Sequence, residues 1–222
     1  MSKKPMLTAW ILSPIFITLG LSQNILANEP AVTYDSASPR LIAQAPDVAS
    51  LHERVQTRSD KIKEYRALLN NPDQTIRLAA LDEMTRSPDP TMREIAFEAG
   101  FNSADMAMQA IALHAKLRLT ETLTVELTKP VSDAKSVQGF VSKYGYQYTM
   151  TFSDFKDENG SFKVQWVNFK GAGQVSGANL SWKVAYSVYY MTAEFRLEDG
   201  ATLKGNISWG GSEQMPAVIR LH

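Results

Sequence analysis

The chain has 222 residues with 23 basic and 23 acidic side chains, so its formal net charge is zero. The charges are spread over both halves, and no basic patch suggests nucleic acid or anionic lipid as a partner. There is no cysteine, which excludes disulfides, cysteine catalysis and thiolate metal sites.

The first 27 residues look like a secretory signal peptide. Lys3 and Lys4 supply the positive start, Leu7–Leu21 is apolar, and Ala27 is a small residue at a position suited to cleavage. The apolar stretch is short for a membrane-spanning helix, although an uncleaved anchor is the alternative. We expect export to the periplasm, or secretion, by a bacterium, with no membrane span after residues 1–27 are removed.

Residues 28–47 carry three prolines and little hydrophobic periodicity, which predicts a disordered linker. Residues 48–70 read as a helix. Its apolar side chains recur at three- and four-residue spacings if Arg58 fills one gap: Leu51, Val55, Ile62, Tyr65 and Leu69. We expect this stripe to pack on helices of its own chain. A homodimer through residues 51–69, joined as a short coiled coil, is the alternative.

A short sequence motif then occurs three times at a spacing of sixteen residues, beginning at Asp73, Asp89 and Asp105. Each copy is predicted to be one helix, with the aspartate as the N-cap; Ser103 is the alternative cap of the third copy. Small residues recur at one equivalent site, where neighbouring helices can approach closely: Ala80, Ala96 and Ala112. Residues 48–119 are therefore predicted to be a helical block.

The repeated Asp-x-x-apolar-Arg-x-x-Ala phrase over residues 73–117 resembles a HEAT-like helical repeat. The resemblance implies a solenoid in which aspartates and arginines of successive repeats form a structural ladder. By that analogy Asp73, Arg77, Asp89 and Arg93 are structural rather than ligand-binding. Gln109 replaces the arginine in the third copy, so the ladder is expected to end there.

From residue 120 the hydrophobic period changes from helical to alternating, which predicts six to eight short strands up to residue 222. Turns are expected at residues 157–160, 171–173 and 198–200. The predicted fold class is α+β, with the helical block followed by an antiparallel β-sandwich or an open β-barrel. Because hardly any linker separates the two regions, we expect them to pack together through Ile111 and Leu117.

No catalytic, phosphate-binding or metal-binding motif stands out, so we expect no catalytic residues, no metal, no cofactor and no enzyme activity; an enzyme with dispersed carboxylates is the least favoured alternative. His52, His114 and His222 have no metal-ligand spacing. The acidic turn that contains Asp154 and Asp157 departs from the EF-hand spacing, which favours a solvated hairpin over a calcium loop.

Aromatic residues are the most suggestive feature of the β region. Most must fill the core, but adjacent Tyr189 and Tyr190 point to opposite faces of a strand, and Trp209 lies beside two glycines. We take these three as ligand- or partner-binding residues. The leading hypothesis is an exported, non-enzymatic adaptor that binds another envelope or periplasmic protein. The alternative is a module whose aromatic β region holds a glycan or an apolar small molecule.

Overall fold

Helices come first along the chain and strands follow. The computed structural model describes residues 47–128, 134–198, 200–211 and 213–221, all within one compact unit, Pro46–His222. The predicted signal peptide and the linker up to residue 46 lie outside the described residues, as does His222. No helix of the described part is long and apolar enough to cross a bilayer.

Five helices and eight strands form in the part of the chain that the structure describes. The helices are α1 (Val48–Leu69), α2 (Gln74–Arg86), α3 (Pro90–Phe101), α4 (Met106–Arg118) and α5 (Lys135–Tyr144). The strands are β1 (Thr122–Leu127), β2 (Gln147–Lys156), β3 (Ser161–Trp166), β4 (Phe169–Ser176), β5 (Asn179–Tyr186), β6 (Tyr189–Glu198), β7 (Thr202–Trp209) and β8 (Gln214–Arg220). The predicted α+β class is confirmed.

Each of the three sequence repeats forms one helix with the same N-terminal capping. The carboxylates of Asp73, Asp89 and Asp105 accept hydrogen bonds from the backbone N–H two residues onward, at 2.8, 2.8 and 2.9 Å. Asp105 is therefore the cap of the third copy, and the Ser103 hydroxyl instead accepts from the Asp105 N–H. The backbone bond to Ala107, ahead of bonds from Gln74 and Arg77, lowers the pKa of Asp105.

Small residues set the distance between the repeat helices. Ala96 on α3 and Ala112 on α4 are fully buried. Gly100 on α3 lies so close to α4 that a Cβ added to it would stand 2.5 Å from the Ala112 Cβ. Backbones this close leave no room for a larger side chain at these positions.

Arginine–aspartate pairs join helices that are two apart in the block. The Arg77 guanidinium lies 3.2 Å from the Asp105 carboxylate, linking α2 to α4. Arg58 lies 3.8 Å from Asp89, linking α1 to α3. The first pair is largely shielded from water and the second is exposed, so the first contributes more to stability.

The side chain at the arginine position of each repeat donates a hydrogen bond to a backbone carbonyl just before its own helix. Arg93 donates to the carbonyl of Ser87 at 2.7 Å. Gln109 donates to the carbonyl of Ser103 at 2.8 Å, so it keeps the arginine's local hydrogen bond without its charge. Arg77 makes the same kind of bond to Asn71, at 2.8 Å.

The strands form a closed antiparallel barrel. Each strand pairs with the next along the chain, and β1 also pairs with β8, with Val125 opposite Ile219. The antiparallel strands agree with the prediction; the predicted sandwich does not form, and the predicted open barrel is met only loosely, because the barrel is closed. The β1–β8 pairing joins the two edges that an open sheet would leave unpaired.

Three glycines lie inside strands where neighbouring backbone or rings come close. Gly171 and Gly173 were expected in a turn, but both lie within β4. A Cβ on Gly171 would collide with the Lys183 carbonyl of β5, and one on Gly173 would collide with the Phe162 ring. Gly205 of β7 faces backbone of β6 in the same way. These glycines permit close strand approach and ring packing inside the barrel.

Helix α5 was missed by the sequence analysis, which expected only strands after residue 120. Val137 and Phe140 are buried, while Val141 and Tyr144 are partly buried against the same core. These four side chains follow a three- and four-residue spacing, which is a helical signal. The segment is only ten residues long, so the alternating pattern of the strands on either side of it dominated the prediction for this region.

The helical block and the barrel share one hydrophobic core. Phe97 and Phe101 of α3 and Leu113 and Leu117 of α4 belong to the same buried cluster as the side chains that fill the barrel. The expected contact through Leu117 is therefore present. Ile111, expected beside it, instead packs in the second cluster, inside the helical block.

A charged cluster borders this junction. The Asp157 carboxylate, in the β2–β3 turn, lies 3.5 Å from Arg86 and 3.6 Å from Arg118. His114 packs edge-on against the Phe155 ring, with centroids 4.8 Å apart. Burial lowers the pKa of His114, and the two arginines lower it further against the opposing effect of Asp157.

Substituting Ala96 with leucine should show how tightly the repeat helices pack. We expect Ala96→Leu to lower the free energy of unfolding by about 1–3 kcal/mol, because extra methylenes must fit into a filled interface. Ala79 on α2 is exposed, so Ala79→Leu is the matched control and should be nearly neutral. Chemical denaturation of the three proteins measures the difference; equal stabilities would contradict the packing described.

His114 should make the helix–barrel junction weaker in acid. Its folded-state pKa lies below its unfolded value, so the unfolded chain binds the proton more readily, and stability falls as pH drops below about 6.5. We expect His114→Gln to lose less stability than the wild type between about pH 7.5 and pH 5. Urea denaturation of both proteins across this pH window measures the loss of stability. Identical pH profiles would show that His114 is not linked to folding.

Candidate functional site

The barrel end opposite the helical block is covered by α5. This helix lies between β1 and β2 in the chain, so it stands at the end where β1 finishes and β2 begins. In an antiparallel meander the β3–β4 and β5–β6 turns fall at that same end. The tips of two hairpins and one face of α5 therefore surround a common space.

Phe140 anchors α5 to the barrel. Its side chain is buried, and its ring lies 5.3 Å from Trp209, 5.8 Å from Trp166 and 5.9 Å from Tyr148, measured between centroids. These partners come from β7, β3 and β2, so one side chain of α5 contacts three strands. Offset and edge-on ring pairs of this kind are each worth about 0.5–1.5 kcal/mol beyond area burial.

A groove of about 520 Å³ remains between α5 and the hairpin turns. We call it the aromatic groove. It is lined by Lys135, Ser136, Gly139, Phe140, Lys143, Tyr144, Val167, Asn168, Phe169, Tyr186, Tyr189 and Trp209. Its volume lies in the range of small-molecule sites, which are mostly apolar with few polar groups.

Two of the three binding residues predicted from the sequence meet in this groove. Tyr189 stacks on Trp209 with ring centroids 6.1 Å apart and planes 12° apart. Trp209 in turn contacts Phe169 at 5.2 Å. Tyr189 and Tyr186 are both exposed along the groove, so each offers ring surface to a ligand.

Tyr190 is not part of the groove. It lies on the opposite face of β6 from Tyr189, because successive residues of a strand alternate. The Lys183 ammonium lies 5.0 Å from the Tyr190 ring centroid. The Tyr190 hydroxyl would lie 2.7 Å from a Cβ built on Gly211. These contacts belong to the outside of the barrel wall.

Gly139 lines the groove at a position where packing inside the protein does not require a glycine. It occupies the middle of α5, where glycine costs about 0.5–1 kcal/mol relative to alanine. A Cβ built on it would meet nothing within 4 Å, unlike the close contacts at Gly171, Gly173 and Gly205. The absent side chain therefore widens the groove rather than allowing internal packing.

Two lysines on α5 add positive charge to one side of the groove. Lys135 and Lys143 both line it, and the Lys143 ammonium lies 4.9 Å from the ring centroid of Tyr144. The other hydrogen-bonding groups of the lining are the Ser136 hydroxyl, the Asn168 amide, the Trp209 indole N–H and the hydroxyls of Tyr144, Tyr186 and Tyr189. This arrangement suits a ligand with a broad apolar or aromatic body, and it can accommodate an acidic group near the lysines.

The other grooves are more polar. A groove of about 630 Å³ between α1 and α3 is bordered by charged side chains, among them the Arg58–Asp89 pair. A cleft of about 770 Å³ lies at the helix ends beside the Arg77–Asp105 pair. The Arg58–Asp89 and Arg77–Asp105 pairs in these grooves are already made within the fold, and the aromatic groove presents more apolar surface, so it is the stronger candidate.

The acidic turn uses its carboxylates in ion pairs. Asp154 pairs with Lys163, whose ammonium lowers the pKa of that carboxyl. Asp157 faces the two arginines at the junction. Within the described residues, no group of three or more histidine, aspartate or glutamate side chains is placed to hold a metal ion.

Sequence reasoning identified two residues of the groove, Tyr189 and Trp209, and missed its other strand and turn residues as well as those of α5. Gly139, Phe140 and Tyr144 line it from a helix that the sequence analysis did not predict. The spacing of Val137, Phe140 and Tyr144 would have indicated that helix. It would not have indicated that the helix covers the end of a barrel.

Comparison with known proteins adds no relative. The chain gives no significant match to a family model, to a curated protein or to a solved structure.

Proposed function

We propose that the protein is an exported, non-enzymatic binding protein of the bacterial envelope, and that the aromatic groove holds a small apolar or aromatic ligand. Gly139 is the observation that carries this proposal. A glycine that weakens its helix, leaves open space where a Cβ would stand and widens an aromatic groove is accounted for if a ligand occupies the space.

The lining favours an apolar or aromatic ligand over a glycan. The ring faces of Tyr186, Tyr189 and Trp209 give stacking surface, and apart from Ser136 and Asn168 the uncharged hydrogen-bonding groups of the lining are the polar ends of the aromatic rings. A sugar presents many hydroxyls, and each that lost water without a partner would weaken binding. A planar or acyl ligand has no such requirement.

Export and the identity of the helical block belong to the same proposal. The signal-peptide pattern of residues 1–27 supports export. The repeated aspartate caps and the Arg77–Asp105 pair support a short HEAT-like array in which Asp73, Arg77, Asp89 and Arg93 are structural. The array then serves as a scaffold that covers one end of the barrel.

An adaptor role is the second candidate, favoured by the first half of α1. Leu51 and Val55 are exposed on this half, while Ile62, Tyr65 and Leu69 of the second half pack on the helical block. An exposed apolar stripe of this kind can bind another envelope protein or a second copy of the chain.

Filling the groove from Gly139 should separate ligand binding from folding. We expect Gly139→Leu to raise the free energy of unfolding by about 0.5–1 kcal/mol, because leucine is a better helix former, and to abolish binding of a groove probe. Anilinonaphthalene sulfonate, an aromatic anion, is a suitable probe, and its fluorescence rises on binding apolar sites. Titration of folded protein at fixed salt measures the affinity.

Gly139→Ala is the matched control. It should give a similar gain in stability because it also removes the helical glycine, but its single methyl should leave most of the probe affinity. Unchanged probe binding by Gly139→Leu would place the probe elsewhere and refute the groove as its site. Loss of stability in both variants would show that the space at Gly139 is required for folding.

The adaptor candidate makes a different prediction for α1. We expect Leu51→Glu to leave thermal stability unchanged, because Leu51 is exposed, and to abolish self-association or co-purification with an envelope protein. Ile62→Glu is the contrasting variant and should destabilise the fold, because Ile62 packs on the block. Sedimentation and affinity capture measure the outcome; a monomeric wild type that captures nothing would rule out this candidate.

A further inference from the structure

Two valines stand exposed at the hairpin tips beside the aromatic groove. Val167, in the β3–β4 turn, is 63% exposed, and Val188, in the β5–β6 turn, is 82% exposed. Both turns are short, since Trp166 pairs with Phe169 and Tyr186 pairs with Tyr189. We call Val167 and Val188 the valine tips. Turn positions of this kind usually carry glycine, asparagine, aspartate or serine.

The conformation of Val167 adds to the cost of its exposure. Its φ is +52°, a left-handed conformation that is unfavourable for a β-branched residue. The neighbouring Asn168 would suit that position better, because asparagine tolerates positive φ. The chain therefore holds an apolar side chain in water and in a strained backbone, with no compensating burial in the protein.

Aromatic side chains with both polar and apolar parts surround the valine tips. Tyr186 and Tyr189 flank the Val188 turn and are exposed, and Trp209 stacks on Tyr189. Tyrosine and tryptophan are favoured at the boundary between water and hydrocarbon, since one end of each ring system is polar. Valine tips backed by tyrosine and tryptophan match the layers of a membrane interface.

The charge at this end of the barrel favours an anionic surface. Lys135 and Lys143 lie on α5 beside the same turns, and Lys170 is exposed immediately after Phe169 in β4. The balanced net charge of the whole chain does not reveal these three lysines, because they are separated in sequence by other elements. Each lysine held near anionic lipid strengthens attachment about fivefold.

We propose that this end of the barrel docks onto the surface of an anionic lipid bilayer. The valine tips enter the boundary between headgroups and acyl chains, the tyrosines and Trp209 lie at the interface, and the lysines face lipid phosphates. The partner is a bilayer rather than a protein because the apolar groups sit on separate projecting tips. A fluid surface can adapt around such tips, whereas a protein interface requires a larger continuous area.

Vesicle flotation of the full chain tests the proposal. The vesicles contain either phosphatidylcholine alone or equal parts of phosphatidylcholine and phosphatidylglycerol. We expect flotation with the anionic vesicles, weaker flotation with the neutral ones, and release as ionic strength rises, because salt screens exposed charges. Val188→Ser should weaken binding to anionic vesicles roughly tenfold.

Val167→Asn distinguishes a membrane contact from a structural role. Asparagine suits the positive φ, so this variant should unfold at the same or a higher temperature and yet bind anionic vesicles less well than the wild type. Val55→Ser is the matched control, since Val55 is 59% exposed but lies on α1, and it should float like the wild type. For the charges, Lys135→Gln with Lys143→Gln should weaken binding. Lys61→Gln with Lys156→Gln has the same net charge and should not.

The proposal fails if the wild type does not float with anionic vesicles at low salt, or if both valine-tip variants float as well as Val55→Ser. Binding of a protein partner by the same face, without vesicle binding, would also overturn it. Val188 is not part of the groove lining, so Val188→Ser should keep its affinity for anilinonaphthalene sulfonate. Failure of membrane docking is thereby separated from failure of the proposed ligand site.

Discussion

Pairing of β1 with β8 is the constraint on which the rest of the structure depends. It joins the two edges of the sheet, and a closed barrel then has an interior that must be filled and two ends that must be covered. The interior is filled by large side chains from every strand. The two ends are covered in different ways, so they differ in structure.

At one end the helical block supplies the cover. Phe97, Phe101, Leu113 and Leu117 extend the barrel core into α3 and α4, so the block and the barrel stabilise each other. The three repeat helices are short, and the block has little core of its own. Their aspartate caps, small interface residues and Arg–Asp pairs hold them in one arrangement that presents an apolar face to the barrel.

At the other end the cover is a single ten-residue helix, which is too small to close the barrel completely. Phe140 fills the centre, and a groove remains at the side. Gly139, the strained Val167 and the exposed Val188 all lie around this end. Each departs from what helix or turn stability alone would favour, and such departures tend to gather where a protein binds something.

The sequence by itself determined the local features. The aspartate caps, the first four helices and the alternation of the strands depend on residues a few positions apart, so their signals are readable along the chain. The closure of the barrel, the close strand approach at Gly171 and the position of α5 depend on contacts between distant segments. Tyr189 and Trp209 meet only because β6 pairs with β7 in the register that sets Met191 opposite Trp209. Register follows from the fit of the whole core, and no local pattern encodes it.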